Sequence, residues 1–216
     1  MINHLDILKD YVQEKDVNEE WYKDNNYYIH YYNLGNNFSP SNILELGIRY
    51  GYSLICLMKG SLDSSITNFN LTCVDSEFEE NSNTIASKNL DKFSTLNNCM
   101  VNYNFINKEI LYINKNEFNK SYYDIIHLDA NHSFKVLHEI QITWESLKDN
   151  GIMIIDDVGS FQTWTDWIRT KRNHIDNFLQ RLISFNQIES INYYNTYRGT
   201  YIIKKSNTAS SYGEIT

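Results

Sequence analysis

Four apolar runs in this chain carry or end in an acid. Glu45 sits inside Ile43–Leu46, Asp75 follows Phe69–Val74, Asp129 follows Tyr123–Leu128, and Asp156-Asp157 follow Ile152–Ile155. If the runs are parallel strands, these acids line one sheet edge, where open α/β sheets bind their ligands. Asp129, Asp156 and Asp157 can then converge on one hard cation. Mg²⁺ takes oxygen ligands and keeps positions open for water or substrate hydroxyls. The plainer alternative is that Asp156-Asp157 terminate a strand and Asp129 caps a helix. His132 follows Asp129 by three residues. Its imidazole titrates near neutrality and can take a hydroxyl proton, or it holds a loop at a helix start. His127 reads as a hydrogen-bonded core residue and His138 as a surface one.

A second chemical feature is the stretch Asn42-Ile-Leu-Glu-Leu-Gly-Ile-Arg-Tyr-Gly-Tyr-Ser53. An apolar run, two glycines and a second apolar run predict strand, tight turn and helix. Such a turn presents backbone N–H groups to a nucleotide-like ligand. Gly47 and Gly51 let the backbone approach that ligand, or they are turn glycines only. Asp75, 24 residues after Gly51, can accept both ribose hydroxyls of a nucleoside, or it is a solvated turn residue. Ser53 caps the following helix or bonds a ligand carboxylate, and Glu45 orients the loop or caps nearby backbone N–H groups. Arg49 and Tyr50 are bulky, so the loop must carry them outside the pocket or towards a second substrate.

The elements that position these residues alternate. Helices are expected over 4–15 and 19–34, with a turn over 35–41 around the single proline, Pro40. Strands follow at 43–46, 69–74, 100–106, 123–128 and 152–155. Helices are expected at 53–59, 83–89, 133–147 and 166–185. Asn150-Gly151 reads as a left-handed helix cap. Residues 188–194 and 200–204 alternate like a closing antiparallel pair. The fold class is therefore α/β: a Rossmann-like, mostly parallel seven-stranded sheet with helices on both faces and a C-terminal antiparallel pair. The expected organisation is an N-terminal helical cap over 1–41, a ligand-binding domain over 42–205 and a flexible tail over 206–216.

Glu-x-Gly-x-x-x-Gly-x-Ser, from Glu45 to Ser53, resembles motif I of the class I S-adenosylmethionine-dependent methyltransferases. The segment Tyr123-Asp-Ile-Ile-His-Leu-Asp-Ala-Asn-His-Ser-Phe-Lys135, with Gly151-Ile-Met-Ile-Ile-Asp-Asp157, resembles a metal-dependent family of that class. That family includes sugar O-methyltransferases, and its acids are similar to those of catechol-type enzymes. The resemblance spans roughly 43–158. It implies cofactor contacts at Glu45, Gly47, Gly51, Ser53, Asp75 and Asp129. It also implies metal ligands at Asp129, Asp156 and Asp157, and a proton-accepting His132. The implied activity is methyl transfer from S-adenosylmethionine, assisted by Mg²⁺, to a hydroxyl of a small molecule, sugar or glycan. One departure is Asn150 where the family has the first of two glycines; another is the lack of a clear Gly-Asp-Ser near the third strand. The rival is a methyltransferase-like partner protein that binds cofactor without catalysis.

Other classes fit less well. The net charge is −8 and no Lys/Arg run stands out, which argues against a nucleic-acid substrate. The glycine spacing is not the Gly-x-Gly-x-x-Gly of nicotinamide enzymes. The strand end Asp129-Ala-Asn-His132 lacks the prolines of DNA-amino methyltransferases, and no Cys follows a Pro. Cys56 and Cys73 lie in apolar runs and Cys99 stands apart, which suggests free thiols in a reducing, cytoplasmic compartment of the cell or of a viral host. No signal peptide or membrane span is expected. The Trp21, Tyr22, Tyr27, Tyr28, Tyr31 and Tyr32 cluster packs against the domain or a second subunit of a homo-oligomer, or else lines the acceptor pocket. Trp164 and Trp167 are placed to cover the site.

Overall fold

The computed structural model describes residues 3–23, 27–76, 81–130, 135–159, 166–195 and 198–207, without the side chains of Trp21 and 166–169. His132 and Trp164 lie outside the described residues, as does the Trp167 side chain. The chain forms two compact units, 1–107 and 108–216.

In the first unit, α1 (His4–Leu8), α2 (Glu20–Lys23) and α3 (Ile29–Phe38) precede β1 (Asn42–Leu46). Then come α4 (Tyr52–Asp63), β2 (Asn68–Asp75), α5 (Ser82–Asn97) and β3 (Met100–Asn107). The strand order is β3-β2-β1, with both pairings parallel. Ile43, Leu44 and Leu46 are fully buried, as expected of a parallel strand covered on both sides.

The helix expected over 4–15 covers only His4–Leu8. The chain leaves α1 after Leu8 and makes a single 3₁₀ turn at Glu14–Asp16. Gly35, read as a turn, lies inside α3, and the helix stops at Ser39, whose φ is 49°. The reason is a close helix crossing. A Cβ on Gly35 would lie 2.0 Å from the Leu57 carbonyl oxygen of α4, and one on Gly60 would lie 2.0 Å from the Tyr32 carbonyl oxygen of α3. Two glycines thus let the backbones of α3 and α4 touch. Tyr22, Tyr27, Tyr28, Tyr31 and Tyr32 are buried. Tyr28 packs edge-on to Tyr52 at 6.2 Å and tilted to His4 at 6.0 Å, so these aromatics are core.

The second unit contains β4 (Tyr123–Leu128), α6 (Val136–Thr143), β5 (Leu147–Asp156), α7 (Asp166–Ser184), β6 (Ile188–Tyr194) and β7 (Thr200–Lys205). Its strand order is β4-β5-β7-β6. β4 and β5 are parallel, while β7 runs antiparallel to both β5 and β6. The seven strands carry the expected Rossmann-like pattern, including the closing antiparallel pair.

One boundary differs. The helix expected over 133–147 ends at Thr143, and β5 already begins at Leu147. Tyr123 pairs with Leu147 but Ile125 with Ile152, so β5 opens on a bulge. Asn150, with φ 62°, is left-handed inside that bulge and does not cap a helix. The buried Lys205 ammonium holds the junction by donating to the Trp144 and Leu147 carbonyls at 3.2 and 2.7 Å.

Candidate functional site

In the first unit, β1 ends at Leu46 and the chain turns through two glycines with positive φ, Gly47 at 89° and Gly51 at 77°. A Cβ on Gly51 would meet nothing closer than 3.8 Å, so conformation rather than space calls for glycine there. Gly47 N–H donates to the Val74 carbonyl at 2.8 Å, which ties the loop to the end of β2. Asp75 is the last residue of β2, and its Oδ2 accepts the Arg49 backbone N–H at 2.9 Å. The strand-end acid therefore already holds one loop amide.

Glu45 is 1% exposed and accepts a hydrogen bond from Ser53 Oγ. Ser53 lies inside the first turn of α4, whose N-cap is Gly51. Its hydroxyl is used on Glu45 and does not cap the helix. The side chains of Arg49 and Tyr50 are engaged within the first unit. The Arg49 guanidinium reaches Asp16 Oδ1 at 3.4 Å, and the buried Tyr50 ring lies under the Arg49 and Lys15 cations at 5.0 and 5.1 Å.

In the second unit, Asp129 directly follows β4 and Asp156 ends β5. His127, Asp129 and Asp156 each offer a ligand atom within 4.8 Å of the others. His127 is fully buried, with Nε2 3.3 Å from Asp156 Oδ2. Asp156 Oδ1 accepts from Thr200 Oγ1 at 2.8 Å. The wholly buried Lys171 ammonium donates to the Asp156 carbonyl at 2.6 Å. Asp157, buried and left-handed at φ 59°, has Oδ2 3.4 Å from Arg198. Burial, then the Asp156 and Asp157 charges, push the Asp129 carboxyl well above the usual carboxylate range; His127 and Lys171 only partly oppose them.

This donor set fits a hard divalent cation. Asp129 is penalised as an anion by its acidic neighbours, and a cation would relieve that penalty. The structure gathers His127 with Asp129 and Asp156, whereas Asp157 sits in reach of Arg198. His127 belongs to the core as expected and is also a potential ligand. The apolar run Tyr123–Leu128 marks His127 as inward-facing and carries no sign of that second role. His138 is half-buried rather than on the surface.

Solved methyltransferases share the fold. The S-adenosylhomocysteine-bound methyltransferase PaMTH1 of Podospora anserina aligns with a TM-score of 0.63 at 15% identity, over 94% of this chain and 86% of that one. The Bacillus cereus O-methyltransferase in complex with S-adenosylhomocysteine gives 0.59 at 17% identity, over 82% and 79%. TomG of Streptomyces achromogenes, an O-methyltransferase of tomaymycin synthesis bound to S-adenosylmethionine, gives 0.60 at 13%, over 82% and 78%. The fold is thus that of the class I S-adenosylmethionine-dependent methyltransferases. A family model described as a methyltransferase domain, methyltransferase family 24, matches residues 44–158, more than half of the 216-residue chain, and the protein belongs to that family. No curated protein matches the chain.

Proposed function

We propose that this methyltransferase is an O-methyltransferase, assisted by Mg²⁺, acting on a hydroxyl of a small molecule, sugar or glycan. The observation that carries the proposal is the Asp129, Asp156 and His127 group at the ends of β4 and β5. S-adenosylmethionine supplies the methyl group and Mg²⁺ a Lewis acid that lowers the pKa of a bound hydroxyl. In this reading Asp129, Asp156 and Asp157 hold the ion, and His127 steadies Asp156 from behind. Asp75 takes the cofactor ribose, and the Gly47–Gly51 amides face its amino-acid end. His132 takes the hydroxyl proton, a role read from its spacing after Asp129. The Bacillus cereus protein and TomG are both O-methyltransferases, which supports oxygen as the acceptor atom. We read the acceptor as no nucleic acid, given the net charge of −8. The buried free thiols Cys56 and Cys73 support a cytoplasmic location. Among the described residues, no helix is long and apolar enough to cross a membrane.

The test is calorimetric binding of S-adenosylhomocysteine, with and without Mg²⁺, to the wild type and to Asp75→Ala. The variant loses a charge-assisted contact of about 1.5–3 kcal/mol, so affinity should fall roughly 10- to 100-fold. No binding by the wild type would overturn the reading. Binding would justify an acceptor screen with labelled methyl donor, beginning with sugars and catechols. Full activity of Asp156→Ala/Asp157→Ala in the presence of a chelator would remove Mg²⁺ from the proposal.

A further inference from the structure

The glycine loop is gripped by a part of the chain that precedes the matched family region. Asp16 closes the 3₁₀ turn Glu14–Asp16 and is 2% exposed. A buried carboxylate needs donors, and it has two from one stretch. Tyr52 Oη donates to its Oδ2 at 3.0 Å, and the Arg49 guanidinium donates to its Oδ1 at 3.4 Å. Tyr52 is the first residue of α4, and Arg49 lies within the loop. The Gln13 backbone N–H donates to Tyr52 Oη at 2.8 Å, so the hydroxyl accepts from Gln13 and directs its own proton to Asp16. Burial, the main cause, holds the Tyr52 phenol well above its ordinary pKa, so it remains a donor throughout the working range.

Arg49 is the non-glycine residue of this loop held in the left-handed region, at φ 47°. Such backbone persists only where its surroundings over-determine it. Here two acids do so: Asp16 holds the side chain, and Asp75 holds the backbone N–H at 2.9 Å. Asn89 Nδ2 adds a bond to the next carbonyl, that of Tyr50, at 3.0 Å. A shift of Arg49 therefore moves the amide that orients Asp75.

We propose that the Gln13–Asp16 segment is a working part of the cofactor site, with Asp16 as the positioning residue that sets the shape of the glycine loop and thereby cofactor affinity. The inference rests on the cofactor reading above. Asp16 acts through Arg49 and Tyr52 and not by contact with the cofactor.

The experiment uses the full chain and two readouts. Hydrogen exchange of the residue 47–52 amides is followed in the wild type, Asp16→Asn, Arg49→Gln and their double variant. S-adenosylhomocysteine affinity is measured by calorimetry on the same four proteins. Loop amides should exchange faster in Asp16→Asn while those of β1 keep their protection. Affinity should weaken on the order of tenfold, the scale of one charge-assisted hydrogen bond. The double variant should be little worse than the worse single one, because both act through one contact. If Asp16→Asn fails to fold, Tyr52→Phe replaces it: this variant keeps the carboxylate and removes the hydroxyl between Gln13 and Asp16. Unchanged loop exchange and unchanged affinity in the variants would overturn the proposal, as would additive losses in the double variant. A wild type that binds no S-adenosylhomocysteine would overturn the cofactor reading itself. The exchange data would then still decide whether Asp16 shapes the loop.

Discussion

The Ser53 hydroxyl donates to the Glu45 carboxylate, across the glycine loop and eight residues back along the chain. The bond ties the first turn of α4 to the end of β1. Both groups are buried, so removing the donor leaves part of its acceptor's hydrogen-bonding capacity unused. Ser53→Ala should cost about 1–3 kcal/mol in urea unfolding. Glu45→Gln, which still accepts through its amide oxygen, should cost less than Ser53→Ala. The reverse order would mean that the charge of Glu45, and not this bond, holds the junction.

Asp129 gives the protein a pH signature. Its folded-state pKa is raised, first by burial and then by Asp156 and Asp157. Between the ordinary carboxylate value of about 3.9 and that raised value, the folded state binds more protons than the unfolded state. Stability therefore falls as pH rises through this window. In a metal-free buffer, Asp129→Asn should be more stable than the wild type at neutral pH, and the difference should shrink as pH falls towards the ordinary value. Thermal midpoints from pH 4 to pH 8 would check this. A variant no more stable than the wild type at neutral pH would show that the carboxyl is not penalised there.

Lys171 is a wholly buried cation whose ammonium donates to the Asp156 carbonyl. It helps to offset a group of buried acids. Lys171→Met keeps most of the volume and removes the charge. Breaking buried charge compensation of this kind typically costs about 3–5 kcal/mol, and the same loss is expected in denaturant unfolding here. Added Mg²⁺ should recover more stability in the variant than in the wild type. Equal recovery in both proteins would separate Lys171 from the acid group.

The α3–α4 crossing leaves no room for a methyl group. A Cβ at Gly60 would lie 2.0 Å from the Tyr32 carbonyl oxygen, which is backbone and cannot swing aside. Gly60→Ala should destabilise by roughly 1–3 kcal/mol or more, even though alanine favours a helix. A more stable variant, read by its thermal midpoint, would mean that the two helices can separate at little cost.

Much of this architecture was legible where hydrophobic pattern and chain punctuation agree. The apolar runs before Asp75, Asp129 and Asp156 are strands, and the Gly47–Gly51 turn leads into α4 as its composition suggests. The closing pair, expected over 188–194 and 200–204, forms as an antiparallel pair at Ile188–Tyr194 and Thr200–Lys205. What escaped depends on contacts far apart in sequence. Gly35 looks like a turn residue until Leu57 lies against it. Leu147 looks like the end of a helix until Lys205 takes its carbonyl. At the site, the strand-end acids stand out by position. Lys171 and Asp16 do not, because each sits among other charges, Glu14-Lys15-Asp16 and Arg169-Thr-Lys-Arg172, and nothing in such a stretch marks the one that is buried.

The thiols of Cys56 and Cys73 are fully enclosed, and burial is the main cause holding both well above the ordinary thiol pKa. A thiol that is neither ionised nor reachable cannot be alkylated while the chain is folded. Each molecule thus carries an internal stopwatch. Alkylation of Cys73 in β2 or Cys56 in α4 marks the moment at which that element opens. The less enclosed Cys99 supplies a reference within the same chain.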